Sequence, residues 1–500
     1  RSSRGPTQPM GGAPESQASL LAGKPPSSAA SEIEPVSKIA RGKHRRETKL
    51  ANGEGPARSS TLSAKLAALS PRCVVGVHGQ WYDLTTFVPK HPGGDILWKF
   101  NGLDATEVYT AFHTRPGLLK MVKEHRIGSY ARPKDAVNED YAKLSREFIR
   151  EGYMTTDWVW TAWNVLRVFL FLAAAIYLSV YAGWPMVAGF CMMVTWQQCG
   201  GIVHDTMHTN VTYNREIDWW IGWVAGPIGL GINAEWWKWE HDLHHALTNT
   251  YTTAPETHSR TGQWPYPTPD KTATTAADNV AAAEPAQAFA VDVQLKEDLW
   301  AQSLEVLEIF PNDDLVRKLI PYQHWIFVPL VFLLGRVGVL AICWRHGGRP
   351  MQLLGFAIHL YLCYSLSLCF PSVWYGFKFW YTAFVAEGIL HLQLMVNHYC
   401  NQWDLSEAAG QDFVRWQCNA THNVASPAYL DWTHVGLNIH IEHHLFPKVS
   451  RTHFRDIKPH VEAFCKKHGL PYRTLPTNPI PTIFNRLREV VEDATSRGLL

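Results

Sequence analysis

The chain has 500 residues, with 46 Lys and Arg against 44 Asp and Glu, a formal charge of +2. Near neutrality argues against a nucleic-acid binder, which is ordinarily clearly basic, and the length leaves room for about two to four domains. His (24) and Trp (22) are abundant. The mean hydropathy of −0.15 would suit a soluble protein, but it averages over very polar and very apolar segments. Nine scattered cysteines without a CxxC pair argue against a disulfide framework and fit a reducing compartment.

Residues 1–70 are rich in Ser, Ala, Gly and Pro and carry no apolar run of the signal-peptide kind, so they read as a disordered tail. The first residue is Arg rather than Met, which suggests a fragment or a processed form. A basic cluster (Lys38, Arg41, Lys43, Arg45, Arg46, Lys49) reads first as a solvated charge run, with contact to anionic lipid as the alternative.

The texture changes at Cys73. Val74–Val77 and Trp81–Leu84 predict a short hairpin, with His78, at the turn, left unassigned. His91-Pro92-Gly93-Gly94 follows, then Asp104-Ala105-Thr106 and Ala111-Phe112-His113. This stretch, placed at 71–131, resembles the cytochrome b5 family of haem-binding domains. The resemblance implies a small α+β unit with haem b held between His91 and His113 as axial ligands. An iron with both axial positions filled by imidazole passes electrons rather than binding oxygen.

A charged linker, 132–157, leads to apolar runs. Trp158–Tyr181 and Trp184–Val203 are each long enough to span a bilayer and read as a helical hairpin. The stretch from Trp219 to Trp239 surrounds a Gly/Pro-broken apolar segment, Ile221–Ile232, expected to lie on the membrane rather than cross it. Three further runs follow: Trp325–Trp344, Met351–Phe370 and Trp374–Met395. The basic link between the first two, Arg345 to Pro350, belongs on the cytosolic side by the positive-inside rule. A reading in which those two runs both cross places it on the other side.

Three histidine motifs sit near the ends of these runs: His204 and His208; His241, His244 and His245; His440, His443 and His444. On a helix, positions i, i+3 and i+4 share a face. At 24 His in 500 residues, one HxxHH arises by chance in roughly one chain in twenty; two are far rarer. Imidazole suits Zn, Cu, Fe and Ni. Eight clustered nitrogen ligands exceed what one ion accepts, so two ions are implied. A carboxylate-bridged di-iron bundle would repeat Glu-x-x-His, which these motifs lack, so a histidine-rich di-iron centre fits better.

HDxxH, HxxHH and the third box, with two membrane hairpins, resemble the membrane-bound fatty acyl desaturases, and the b5 fusion narrows this to the front-end and sphingoid-base desaturases. The expected fold is thus an α+β haem domain followed by an all-α membrane domain, 158–480, of about four transmembrane helices with a cytosolic di-iron site. An Ala/Thr/Pro-rich insert at about 252–294 reads as a surface loop, and 481–500 as a C-terminal tail. The resemblance further implies His398 as a metal ligand, with a plain helix-end histidine as the alternative. It departs at His440, where front-end enzymes usually have Gln, and at Val435, where they usually have Gly. Asp205 and Asp242 read as acceptors that fix imidazole tautomers.

The implied reaction is oxidoreduction: insertion of a cis double bond into a fatty acyl chain, carried as acyl-CoA or phospholipid, with O2 reduced to water. Electrons would come from NADH-cytochrome b5 reductase through the haem, and the enzyme would reside in the endoplasmic reticulum membrane. The alternatives are a sphingoid long-chain-base desaturase, a b5-fused acyl hydroxylase, and, from another class, a membrane-anchored haem electron carrier, which would not need the histidine motifs.

Overall fold

The hairpin forms as its sequence predicts. In the computed structural model, which describes residues 72–250, 300–304, 307, 314–345, 347–400 and 412–500, strand β1 (Val74–Val77) pairs antiparallel with β2 (Gln80–Asp83). The expected tail and the insert at 252–294 lie outside the described residues. His78 and Gly79 make the two-residue turn with positive φ of 50° and 76°, the twist that hairpin strands favour. Strand β3 (Arg126–Ser129) adds to the other edge of β2. Helix α1 (Thr106–Phe112) starts where Asp104 Oδ1 accepts from Thr106 N at 3.0 Å. Arg132 then closes the unit, pairing with Asp104 at 2.5 Å and Glu107 at 2.7 Å.

The stretch expected as a linker contains a packed helix, α2 (Ala136–Arg150), capped by the Asp135 carboxylate on Val137 N and Asn138 N. Its charged composition conceals an apolar stripe at helical spacing: Val137, Tyr141, Leu144 and Phe148 are all buried. Tyr141 donates its hydroxyl to Leu445 O at 2.7 Å, which ties α2 to the third histidine box.

Helices α3 (Trp158–Val180) and α4 (Pro185–Met207) pack as a hairpin. Phe169, Leu170, Val187 and Phe190 are exposed, a contiguous apolar surface of the kind a bilayer covers. The one charge inside α3, Arg167, turns inward, donates to Gln198 Oε1 at 3.1 Å and lies over the Trp432 ring. After α5 (Arg215–Trp223) the chain makes one wide helical segment, Val224–Leu230, and breaks at Gly231 with φ 79°. This segment wedges against α4 and later helix α8, burying Ala225, Gly226, Pro227 and Leu230. It is packed among the apolar helices rather than laid on their outer face.

After the second box helix, α6 (Ala234–Ala246), come α7 (Gln323–Arg345), α8 (Pro350–Leu368), α9 (Val373–Ala386) and α10 (Gly388–Tyr399), the last two nearly continuous. Among the described residues, five helices are long and apolar enough to cross a membrane by length and composition: Trp158–Val180, Pro185–Met207, Arg317–Arg345, Pro350–Leu368 and Val373–Tyr399. The ends of α7 are informative. It starts beside Tyr399, with the Phe327 and Tyr399 rings 5.9 Å apart, and it finishes where Trp344 Nε1 donates to Gly231 O at 3.1 Å. The link beyond it touches the first turn of α6: Arg349 lies 3.4 Å from Glu235, Ala234 N donates to Gln352 Oε1 at 3.1 Å, and Asn233 donates to Gly347 O.

Helices α11 (Phe413–Ala420), α12 (His440–Leu445) and α13 (Phe454–His468) form the core around α2. The segment read from sequence as a tail forms most of α14 (Ile480–Ser496), whose Ile483, Leu487 and Val490 are buried. Gln323 Nε2 donates to Leu487 O at 3.1 Å and fixes that helix to the start of α7.

Candidate metal centre and haem pocket

Helix ends position every histidine of the three boxes. His204 and His208 occupy the last turn of α4 and its cap. Asn233 caps α6 on Trp236 N, so His241, His244 and His245 fall in that helix's last two turns. Helix α12 is only six residues long and receives a cap from far away in sequence. Asn423 Oδ1 accepts from His440 N at 2.6 Å and Ile441 N at 2.9 Å. Asn423 is itself held in β4 (Asn423–Val424), paired parallel with β5 (Thr474–Leu475). Buried Glu442 faces away from the cluster, bound by Asn423 Nδ2 at 2.9 Å and by the Tyr472 hydroxyl.

The imidazoles converge through their Nε2 atoms. His204 and His443 approach to 3.0 Å, His208 and His241 to 3.0 Å, and His241 and His245 to 3.2 Å. His244 and His398 lie 3.2 Å apart, and His398 and His440 2.8 Å. The ligand atoms form two groups, each within 4.8 Å: His204, His208, His241, His245 and His443; and His244, His398 and His444. His440 joins through His398. All of these side chains are buried.

Burial, reinforced by the neighbouring rings, holds His208, His241, His245, His440, His443 and His444 well below the ordinary imidazole pKa. They are therefore uncharged at neutral pH. Ala420 O accepts from His398 Nδ1 at 3.0 Å and Gln417 Oε1 from His444 Nδ1 at 2.9 Å, so Nε2 keeps the lone pair in both. His444 Nε2 is buried with no hydrogen-bond partner among the described residues. Buried imidazole nitrogens that converge at about 3 Å make a donor set that a cation satisfies. The donor set therefore fits metal, and two adjoining groups fit two ions.

The aspartates within the boxes do less for the tautomers than the sequence suggests. Asp205 lies 3.4 Å from His204 Nδ1, but its main partner is Arg451 at 2.8 Å. Asp242 accepts from Lys238 at 2.7 Å. The acceptors the sequence does not disclose are Gln417 and the Ala420 carbonyl on α11. Thr248 adds a hydroxyl 3.2 Å from His444 Nδ1. Gly436, the glycine retained beside Val435, has a steric reason: its φ is 91°, and an added Cβ would meet Arg451 Cδ at 2.5 Å.

In the N-terminal unit, the His91 and His113 ring centroids are 6.0 Å apart. Two imidazoles bound on opposite sides of one metal ion, each at about 2 Å, require a centroid separation of about 6 Å. Tyr109 O accepts from His113 Nδ1 at 3.2 Å and the Tyr109 ring stacks on His113, which turns His113 Nε2 toward His91. Burial lowers the pKa of both, that of His113 to about 4. At Gly93 an added Cβ would meet His91 Cε1 at 3.1 Å, so glycine keeps the ring free to turn. The pair fits a haem.

The two sites face each other across a packed interface. Asp95, just past the HPGG turn, accepts from Trp239 Nε1 of α6 at 3.0 Å. Arg115 donates to Tyr213 O, and the Phe112 and His245 rings meet perpendicular, 6.4 Å apart. An apolar cavity of about 650 Å³ lies between α3, α4, the Val224–Leu230 segment and α8. Ile202, two residues before His204, and Trp196 are among its walls.

Comparison with known proteins agrees with this layout. Residues 61–131 match the cytochrome b5-like heme/steroid binding domain, and residues 180–476 match the fatty acid desaturase family. A Delta(8)-fatty-acid desaturase 2 of Arabidopsis thaliana is 28% identical over 80% of this chain and 86% of its own length. An acyl-lipid (9-3)-desaturase of Physcomitrium patens is 28% identical over 85% of this chain and 77% of its own. A Delta 8-(E)-sphingolipid desaturase of Komagataella phaffii is 27% identical over 66% and 58%. With a histidine cluster at the ends of apolar helices and a b5-like unit that implies haem, the chain belongs to the fatty acid desaturase family of oxidoreductases.

Proposed function

We propose that the protein is a front-end acyl desaturase of the endoplasmic reticulum membrane that places a cis double bond in a fatty acyl chain. The observation that carries this is the pair of adjoining imidazole groups, set between a haem-type histidine pair and an apolar cavity. In this reading His91 and His113 hold haem b. His204, His208, His241, His244, His245, His398, His440, His443 and His444 hold two irons. A di-iron pair, given O2 and two electrons, supplies abstraction of hydrogen from an unactivated C–H bond. A bis-imidazole haem supplies electrons singly, received from NADH through a separate cytochrome b5 reductase.

The protein's own contribution is placement. Neutral buried imidazoles offer lone pairs without competing protons. Gln417 and the Ala420 carbonyl fix ring orientation. Trp196, Trp380 and Leu366 wall an apolar space suited to a hydrocarbon chain.

The contacts of α7 support a membrane arrangement in which α3, α4, α8 and α9–α10 cross and α7 does not. Its two ends lie beside Tyr399 and Gly231, and its trailing link rests on the first turn of α6. Arg345 and Arg349 then share the cytosolic face with the histidine boxes, as the positive-inside rule requires, and all three boxes meet after an even number of crossings.

A sphingoid-base desaturase is the second reading, favoured by the sphingolipid desaturase of Komagataella phaffii among the relatives. Expression in a host fed defined fatty acids, with mass spectrometry of double-bond positions in fatty acids and sphingoid bases, separates the two. A new double bond in the acyl chains supports the front-end reading. Unchanged fatty acids with a newly unsaturated long-chain base overturn it.

A further inference from the structure

Phe112 stands immediately before the haem-type histidine His113 and at the same time meets His245 of the metal cluster, the two rings perpendicular with centroids 6.4 Å apart. His245 differs from His398 and His444 at its outer edge. Their Nδ1 atoms are bonded to Ala420 O and Gln417 Oε1, whereas His245 Nδ1 is buried without a hydrogen-bond partner among the described residues. His208, His440 and His443 share that lack of an Nδ1 partner, and what sets His245 apart is the perpendicular contact of its ring with Phe112. Phe112 belongs to the same apolar cluster as Leu243, Ala246 and Leu247 of the second box region, so packed side chains fill the space between the two sites. The interface is held on separate sides by Asp95 with Trp239, by Arg115 with the Tyr213 carbonyl, and by Asn138 with Asp412 at 2.9 Å. The two rings therefore meet in a fixed arrangement rather than in a passing encounter.

We propose that Phe112 is the relay through which electrons pass from the haem held by His91 and His113 to the metal pair, entering it at His245. The inference rests on the desaturase reading given above and names a route within it. In each passage one electron moves: the haem iron goes from ferrous to ferric, a non-haem iron goes from ferric to ferrous, and no bond is made or broken. Phe112 itself is neither oxidised nor reduced on balance. It positions a continuous packed path where a smaller or more mobile side chain would leave a gap.

The test uses the purified full-length holoprotein in detergent with an acyl-CoA or phospholipid probe. The haem is reduced anaerobically, the protein is mixed with O2 and the probe, and haem reoxidation is followed by stopped-flow absorbance. Phe112→Leu and Phe112→Met should slow substrate-dependent reoxidation by about tenfold or more while the haem absorbance spectrum, haem potential and iron content stay as in the wild type. Phe112→Tyr, which keeps the ring, should restore the rate. A merely structural role would not give this pattern, because loss of packing would alter spectrum, potential or metal content and would not be reversed by the ring alone. Wild-type reoxidation rates in both folded, haem-replete non-aromatic variants overturn the relay and leave the desaturase reading standing. Absence of substrate-dependent reoxidation in the wild type overturns the desaturase reading itself and the relay with it. If Phe112→Leu loses haem, Phe112→Met decides.

Discussion

Gln417 Oε1 accepts from His444 Nδ1 at 2.9 Å, while Gln417 Nε2 donates to His245 O at 2.8 Å. One side chain on α11 thus orients a ring of the third box and anchors the backbone of the second. Groups that fix a ligating imidazole are worth about 10–100-fold in metal affinity. Gln417→Leu should therefore weaken iron retention by that order in a chelator competition. Gln417→Glu, which keeps an acceptor, should retain more iron than Gln417→Leu. Equal retention in Gln417→Leu and wild type would remove the orienting role.

Arg451 and Asp205 form a buried ion pair at 2.8 Å, their side chains 6% and 5% exposed. It joins the first box helix to the segment following the third box, and the Arg451 guanidinium also lies over the Trp160 ring. Breaking one partner of a buried pair strands the other charge, at a cost of about 3–5 kcal/mol. Arg451→Met should lower the thermal unfolding temperature in detergent markedly. Lys467→Met, which removes an exposed partner of Asp140, should barely change it.

The Asp135–Arg415 pair at 2.8 Å makes stability depend on pH. Burial alone would raise the Asp135 pKa, but hydrogen bonds from Arg415 and from the first amides of α2 outweigh it and hold the pKa below its usual value. The carboxylate is thus favoured in the folded state. Its contribution is complete above the unfolded pKa of about 3.9 and is lost as pH falls through the lower folded value. Both partners are about one-third exposed, so the expected contribution is about 1 kcal/mol or less after solvent screening. Asp135→Asn should be less stable than wild type at pH 7, with the gap closing below about pH 3. A gap that persists at low pH would show that the loss is of packing or capping rather than of charge.

The cavity beside Ile202 offers a test of substrate placement. Val168 lines it from α3, and Val168→Trp would shorten the space while leaving the three histidine boxes unaltered in sequence. Mismatch by a methylene group or so is worth about 10–200-fold in selectivity. The variant should shift the product profile toward shorter acyl chains by about tenfold, read by mass spectrometry after feeding a chain-length series. An unchanged profile would place the substrate elsewhere.

Much of the site is legible in the sequence because it is local. HxxHH places its rings on one helical face whatever the helix packs against, and the hairpin with its His78-Gly79 turn follows from short-range conformational preference. What the sequence conceals is assembled over long distances. Gln417, Asn423 and Arg451 look like ordinary polar residues until the fold brings them to His444, His440 and Asp205. The stretch at 132–157 reads as a charged tether because charges outnumber its stripe of Val137, Tyr141, Leu144 and Phe148. That stripe gains meaning from the α11–α13 surface that buries it. The apolar run of α7 resembles a span by length, and the contacts at its two ends, with Tyr399 and Gly231, are not legible in its composition.

The central claim is that the buried imidazoles hold two irons in addition to the haem. Iron quantification with Mössbauer spectroscopy of the purified full-length protein tests it most directly. The account predicts two non-haem irons per chain in one coupled, nitrogen-rich site, lost or reduced in His244→Ala while the haem absorbance stays unchanged. A protein carrying haem but no non-haem iron, or a His244→Ala variant with its full iron complement, would contradict it.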